Sequence, residues 1–336
     1  MRKLLIMGLG VALFSASCAR QAARPDWVAG ESVTYPASRY LLGRGQGDNQ
    51  QVAADRARAE LAKIFRVAIT DETVDTQTVT MVVKDKERQR EQSAAAIRTV
   101  VTTADEVLEG IEIAKQWQDP QTQSHYALAV LARARTAQIL RQRIAERDQL
   151  TEQYMAQAGV GEDNLAKAGA IARALYAQRE RSALQQQLAI VETSALTLAP
   201  RRSIAELQAQ LEAMLRRTRI AARVGDDPVG GLQKTLAGAL AQSGFAVAES
   251  GQAHYVAFAS LVLEDLGRQE GWYWLKGTLE LKLTEIAGER MRGVKRWDIK
   301  VSAQQSPVAQ QRARDQVSAI LQQDLRTTLL GFATGQ

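Results

Sequence analysis

The spacing of apolar and polar positions changes period several times along the chain, and each change marks an element. Arg39 to Leu42 reads as a short strand that ends in Gly43-Arg44-Gly45-Gln46-Gly47. Asp48 stands three residues before Gln51, the spacing of a capping box, and opens a helix through Phe65. Ala53, Ala57, Leu61, Ile64 and Phe65 recur at helical intervals and give that helix one apolar face. From Arg66 to Val83 the residues turn β-branched, with Val67, Ile69, Thr70, Val74, Thr76, Val79 and Val82, which predicts a strand. Val100-Val101, Val107 to Ile113 and Tyr126 to Val130 predict further strands, with a turn at Asp119-Pro120. This first block is one helix against a small antiparallel sheet.

Residues 131–215 differ. They are rich in Ala, Gln, Arg and Leu, and they break at Gly159-Val160-Gly161. The pattern predicts an αα-hairpin with arms at Leu131–Ala158 and Asp163–Val191. Each arm would reach roughly 40 Å, and its alanine-rich faces bury little area, so the arms lean on something else. The last block opens with a strand at Ile220–Val224 and a helix marked by Val229, Leu232, Leu236 and Leu240, ending near Gly244. Three strands follow, then a helix through Val317, Ile320, Leu321, Leu325 and Leu329. The expected fold class is α+β. Two small antiparallel-sheet-plus-helix domains, residues 25–130 and 216–336, are joined by the hairpin at 131–215. No sequence repeat of fixed period is present.

Composition narrows the function classes. With 46% hydrophobic and 24% charged residues, the chain has the balance of a globular protein with real cores. No apolar run reaches the roughly 20 residues of a spanning helix, which excludes a membrane bundle. A single cysteine excludes an intrachain disulfide, and two histidines leave little for a metal site.

The start of the chain speaks to location. Arg2 and Lys3 precede an apolar run from Leu4 to Phe14, and Ser15-Ala16-Ser17 leads into Cys18, the lone cysteine. This is the layout of an export signal over residues 1–17. It resembles a bacterial lipoprotein signal, in which the cysteine thiol is lipidated and the preceding bond is cut; residues 18–24 would then be a tether. Ser15 stands where such signals usually carry leucine, so plain secretory cleavage at the same bond remains the alternative. Ala19, rather than aspartate, after the cysteine implies by the same resemblance an outer-membrane, periplasm-facing protein. Several acyl chains at about 0.8 kcal/mol per buried CH₂ make such an anchor effectively permanent.

Charge then acquires a meaning. The chain carries 43 basic and 37 acidic residues, a net +6, which falls to +4 once Arg2 and Lys3 are removed. The stretch 131–223 alone holds fifteen basic against nine acidic residues. Outside the cytoplasm, an acidic protein face or anionic envelope material is the fitting partner, and nucleic acid is not.

Candidate chemistry is mostly decoy. Gly43-x-Gly45 follows a strand and precedes a helix, as a dinucleotide loop would, and Asp71 lies near where a ribose-binding acid belongs. The third glycine would be needed at Asp48, whose carboxylate repels a pyrophosphate. A glycine turn plus a helix cap is the better account, and no cofactor is expected. His125 and His254 sit apart, each at the start of a strand, and no G-x-S-x-G elbow occurs. A glycosidase-type carboxylate pair needs no motif, yet the acidic residues lie scattered among bases. No small-molecule substrate is expected.

One segment stands out. From Gly271 to Leu283, odd positions carry Tyr273, Leu275, Leu279, Leu281 and Leu283, while even positions carry Trp272, Trp274, Lys276, Thr278, Glu280 and Lys282. Strict alternation puts both tryptophans on the polar face, which makes Trp272, Trp274 and Lys276 a candidate interface. A bulge at Gly277 that flips the register, or cover by a helix of the same chain, would instead make the tryptophans structural.

The order Cys18, Pro25-Asp26-Trp27, Tyr40-Leu41-Leu42-Gly43-x-Gly45 and Ala53-Ala54-x-x-Ala57-Arg58-x-x-Leu61-Ala62 resembles one family over residues 24–130. It is that of small outer-membrane lipoproteins named for a twenty-kilodalton member, which also contains flagellar assembly lipoproteins. The last block more weakly resembles the domain shared by the TolB amino-terminal region and curli-secretion-type lipoproteins. The resemblance implies a non-enzymatic, lipid-anchored envelope protein, a scaffold or assembly factor with an envelope protein or a second copy as partner. The alternative is an outer-membrane regulator of a cell-wall synthase.

Overall fold

The computed structural model describes residues 24–78, 110–192 and 199–334. The strands expected within residues 79–109, and the signal with Cys18, lie outside the described residues. Two sheets and seven helices among the described residues make the fold α+β. The chain divides into two compact units: one holds the described residues to Ile64 together with Gly110–Arg133, and the other holds the remainder.

The first unit is built on a three-stranded antiparallel sheet in the order β1-β3-β2, with β1 at Tyr40–Gly47, β2 at Glu112–Gln118 and β3 at His125–Ala132. Helix α2, Gln50–Thr78, crosses one face. The glycines are strand, not turn: Gly43, Gly45 and Gly47 pair with Ala129, Ala127 and His125. A Cβ on Gly45 would stand 2.0 Å from the Ala53 carbonyl oxygen, and one on Gly43 2.3 Å from that of Ala57. The helix thus rests directly on the strand backbone, with Ala53, Ala57 and Leu61 wholly buried beneath it. The helix cap is Asn49 rather than Asp48. Its Oδ1 accepts from Val52 N at 2.9 Å and its carbonyl from Ala53 N at 3.1 Å.

The strand read between Arg66 and Val83 is corrected as well, since α2 continues to Thr78. Each β-branched residue disfavours a helix by only a few tenths of a kcal/mol relative to straight-chain residues. Once nucleated, the helix gains one hydrogen bond per added residue.

The opposite face of this sheet explains the first motif. Helix α1, Asp26–Ala29, drops Trp27 onto Leu128 and Val130, where it is buried. Asp26 accepts from Trp27 N and Val33 N at 2.8 and 2.9 Å, and these bonds, Val33 first, hold its carboxyl below the ordinary value. Arg44 Nε donates to the Trp27 carbonyl at 2.8 Å.

The second unit contains α3 at Arg133–Ala158, α4 at Asn164–Val191, α5 at Ile204–Arg217, α6 at Leu232–Gln242 and α7 at Ser306–Thr334. Helices α3 and α4 end and begin where the glycine break predicts. Cross-pairs Arg181–Asp148 and Thr151–Gln178 zip them antiparallel. The hairpin is not a body of its own: Leu165, Ile171 and Leu175 of α4 share one core with the sheet and with α5 and α7. Helix α5 is separate from the hairpin, capped by Ser203 Oγ accepting from Glu206 N at 3.1 Å.

The sheet has the order β5-β4-β6-β7-β8, with β4 at Arg219–Val224, β5 at Ala246–Val247, β6 at Tyr255–Gln269, β7 at Trp272–Glu285 and β8 at Arg290–Ala303. It is mixed rather than antiparallel throughout. Strand β4 runs parallel to β5 and β6, because helix α6 makes the crossover that parallel pairing requires. The long hairpins β6–β7 and β7–β8 are antiparallel. Among the described residues, no helix is long and apolar enough to cross a membrane.

Candidate functional site

Strand β7 decides where the tryptophans point. Leu275, Leu279, Leu281 and Leu283 are buried in the core. Pairing with β6 and β8 runs unbroken from Leu275 to Leu283, so Gly277 does not bulge. Gly277 answers a different need: a Cβ there would stand 1.9 Å from the Val262 carbonyl oxygen. The actual shifts fall on the neighbouring strands, where Leu266 of β6 and Arg292 of β8 are the extra residues. Trp272, Trp274 and Lys276 therefore share the face turned away from the core.

That face is mixed in character. Trp272 is 41% exposed and Val262 58% exposed. Trp274 is half-buried, with Lys300 Nζ 5.4 Å from its ring centroid. Lys276 is exposed and lies directly opposite Lys300 on one side and Glu264 on the other. Farther along, Glu280 is held by Lys282 and Arg296, each at 2.6 Å. Lys282 first, then Arg296, keeps its carboxyl below the ordinary range. Aromatic edges set among cations suit adhesion to an acidic or amphipathic surface.

A second cluster lies where α4 meets the sheet. Asp163 caps α4, its Oδ1 accepting from Leu165 N and Ala166 N at 2.9 Å and from the Tyr255 hydroxyl. Arg292 Nη2 reaches Asp163 Oδ2 at 2.6 Å, and Nη1 reaches Glu285 at 3.1 Å. Burial raises the Asp163 carboxyl, yet the Tyr255 bond, the Ala166 amide and Arg292 together hold it below its ordinary value. Burial first and Asp163 second push the Tyr255 hydroxyl up. Arg292 occupies the bulge, which turns it out of the strand alternation and onto both carboxylates. Each group is matched by a partner, and the arrangement is a clamp between hairpin and sheet.

Reading the sequence misses this clamp. The sequence marks Asp163 as the start of the second arm, but Tyr255 and Arg292 lie far along the chain and no spacing links them. His254 stands beside it, its Nδ1 accepting from Arg219 N at 3.2 Å, and burial followed by Arg219 lowers its pKa. His125 pairs with Gly47 and Gln118 across its sheet. Among the described residues, no group of three or more His, Cys, Asp or Glu could hold a metal ion.

No curated protein matches the chain. The secreted protein HP1454 of Helicobacter pylori is 14% identical, with 87% of this chain and 98% of that one covered at a TM-score of 0.41. A minor lipoprotein of Acinetobacter baumannii is 13% identical, with 35% and 91% covered at a TM-score of 0.25. Protein XCC0632 of Xanthomonas campestris is 15% identical, with 35% and 86% covered at a TM-score of 0.28. The first unit carries the family signal read from its motifs: residues 25–132 match the LPP20 lipoprotein family.

Proposed function

We propose that this chain is a lipid-anchored, non-enzymatic protein of the cell envelope. Cys18 holds it at the outer membrane, it faces the periplasm, and it works by binding, as a scaffold or assembly factor. The observation that carries the reading is one of order along the chain. The lone cysteine ends an apolar run, and a domain matching a lipoprotein family begins at residue 25. The outward face with Trp272, Trp274 and Lys276 supplies a surface of the kind such a protein needs. Its partner is an envelope protein or a second copy of the chain.

The test is fractionation. Cys18→Ser is expected to abolish membrane association, because that thiol carries every proposed acyl chain. A substituted protein that still pellets with outer membrane at high salt overturns the anchor. Mild crosslinking on membranes followed by identification of what is captured then separates the roles. A homo-oligomer or a structural envelope component supports the scaffold; a cell-wall synthase replaces it with the regulator.

A further inference from the structure

Strand β8 ends the second sheet. It is 14 residues long, from Arg290 to Ala303, and among the described residues it pairs only with β7. Alternate residues of an edge strand turn their N–H and C=O groups outward, which is a template for another strand. Along that outer edge, the one partner among the described residues is the Arg312 guanidinium, which donates to the Ser302 carbonyl. Natural sheets keep such edges short or cover them. Among the described residues this one is long and open.

The side chains say what would pair with it. Strand β8 carries Arg290, Arg292, Lys295, Arg296 and Lys300 against Asp298 alone. Arg292 is turned into the Asp163 clamp, while Arg290, Lys295, Arg296 and Lys300 are exposed. Across the next rung, Lys300 faces Lys276, a like-charge pair that neighbouring strands ordinarily avoid. Among the described residues neither lysine sits in an ion pair, although Glu264 lies opposite Lys276 on β6. An anion beside them relieves that repulsion. A second copy of β8 in the same place adds to it, because two cationic strands would lie side by side.

We propose that the outer edge of β8 receives an extended acidic segment of a partner protein, added as a sixth strand. Backbone hydrogen bonds along the edge supply register. Lys295 and Lys300 leave opposite faces of the strand, so carboxylates on both faces of the incoming strand meet them, and Trp274, held against Lys300, presents its ring on the outward face. This deepens the binding-protein reading and rests on it, while committing to an acidic strand over self-pairing.

The experiment uses the full-length lipoprotein in a non-ionic detergent at low salt. The probe is a fluorescein-labelled decapeptide of glutamate pairs separated by single valines, which carries carboxylates on both faces when extended, followed by anisotropy and by amide hydrogen exchange. Saturable binding is expected, with slowed exchange across Arg290–Ala303. In the doubly substituted Lys295→Glu, Lys300→Glu protein, affinity should fall by about tenfold or more. Both positions are exposed, and an unchanged melting curve establishes that the variant is folded. Four results overturn the proposal: equal binding of a peptide with lysine for glutamate; binding that leaves β8 exchange unchanged; undiminished binding by the variant; or a concentration-dependent dimer whose formation slows β8 exchange without peptide. Membrane fractionation of the Cys18 variant is independent of all four, so the two readings fail separately.

Discussion

Gly45→Ala tests whether the glycines of β1 exist for the approach of a helix. The added Cβ would stand 2.0 Å from the Ala53 carbonyl oxygen, 2.4 Å from Ala57 N and 3.0 Å from the Arg56 carbonyl carbon. All three are backbone atoms of α2, so no side-chain rotation makes room and the helix must lift by ~1 Å to reach ordinary contact. A buried leucine makes roughly 50 contacts of about 0.15 kcal/mol, and a gap of that size forfeits up to about half of each on the opened side. With about a third of its contacts toward the sheet, Leu61 loses about 1 kcal/mol. Ala53 and Ala57 lose a similar amount together, for a total near 2 kcal/mol, inside the range of about 1–3 for overpacking. Hydrogen exchange read at Ala127–Leu131 of β3 reports the first unit alone. Protection there should fall about 30-fold, as 2 kcal/mol requires, while β7 stays unchanged. Gly238→Ala is the control: it lies in α6 with nothing within 4 Å and should stabilise locally by up to about 1 kcal/mol. Protection at β3 within about twofold of wild type would refute the seating of α2 on the strand, and would reopen the glycines to a ligand.

Two further outcomes follow from the second unit. Replacing Trp272 and Trp274 together by Ser should lower stability by only about 1 kcal/mol, as for residues off the core face, while weakening self-assembly or partner capture. A urea melt showing a loss of several kcal/mol, typical of core truncation, would make the pair structural. The clamp predicts two pH limits. The folded pKa of Asp163 is lowered from 3.8, so its contribution is complete above that value and is lost as pH falls through the lower folded one. The pKa of Tyr255 is raised from 10.0, so its contribution is complete below pH 10.0 and disappears as pH climbs through the higher folded value. Asp163→Asn should therefore flatten the acid limb of thermal stability, and Tyr255→Phe the alkaline limb. Limbs unchanged in both variants would leave the clamp without a titrating role.

What the sequence revealed follows from how local each cause is. The arms of the hairpin were legible because Gly159-Val160-Gly161 interrupts them and Asp163 caps the second, both effects contained within one turn of chain. The outward parity of Trp272 and Trp274 was legible because a strand alternates strictly unless it bulges, and the bulges fell on β6 and β8. Helix α5 carried a readable signal too: Ser203 with Glu206 three residues later is a capping pair, obscured because the composition around it matches the hairpin. The parallel pairing of β4 with β6 was not legible, since Ile220 to Val224 reads the same in either direction. Nor was the joining of hairpin to sheet. Alanine and glutamine crowd every face of α4, so its sequence names no buried side. Only once the sheet is in place does Leu165–Leu175 become core, with Arg292 turned by a bulge to meet Asp163 at the helix start. The same logic separates the family motif from the edge of β8. The family motif is dense in unit one because Gly43, Gly45, Ala53 and Ala57 must all be small at one contact, and that demand is written directly in residue type. The strand-docking edge proposed for β8 demands only backbone and charge, which many sequences satisfy, and so it is visible only in the fold.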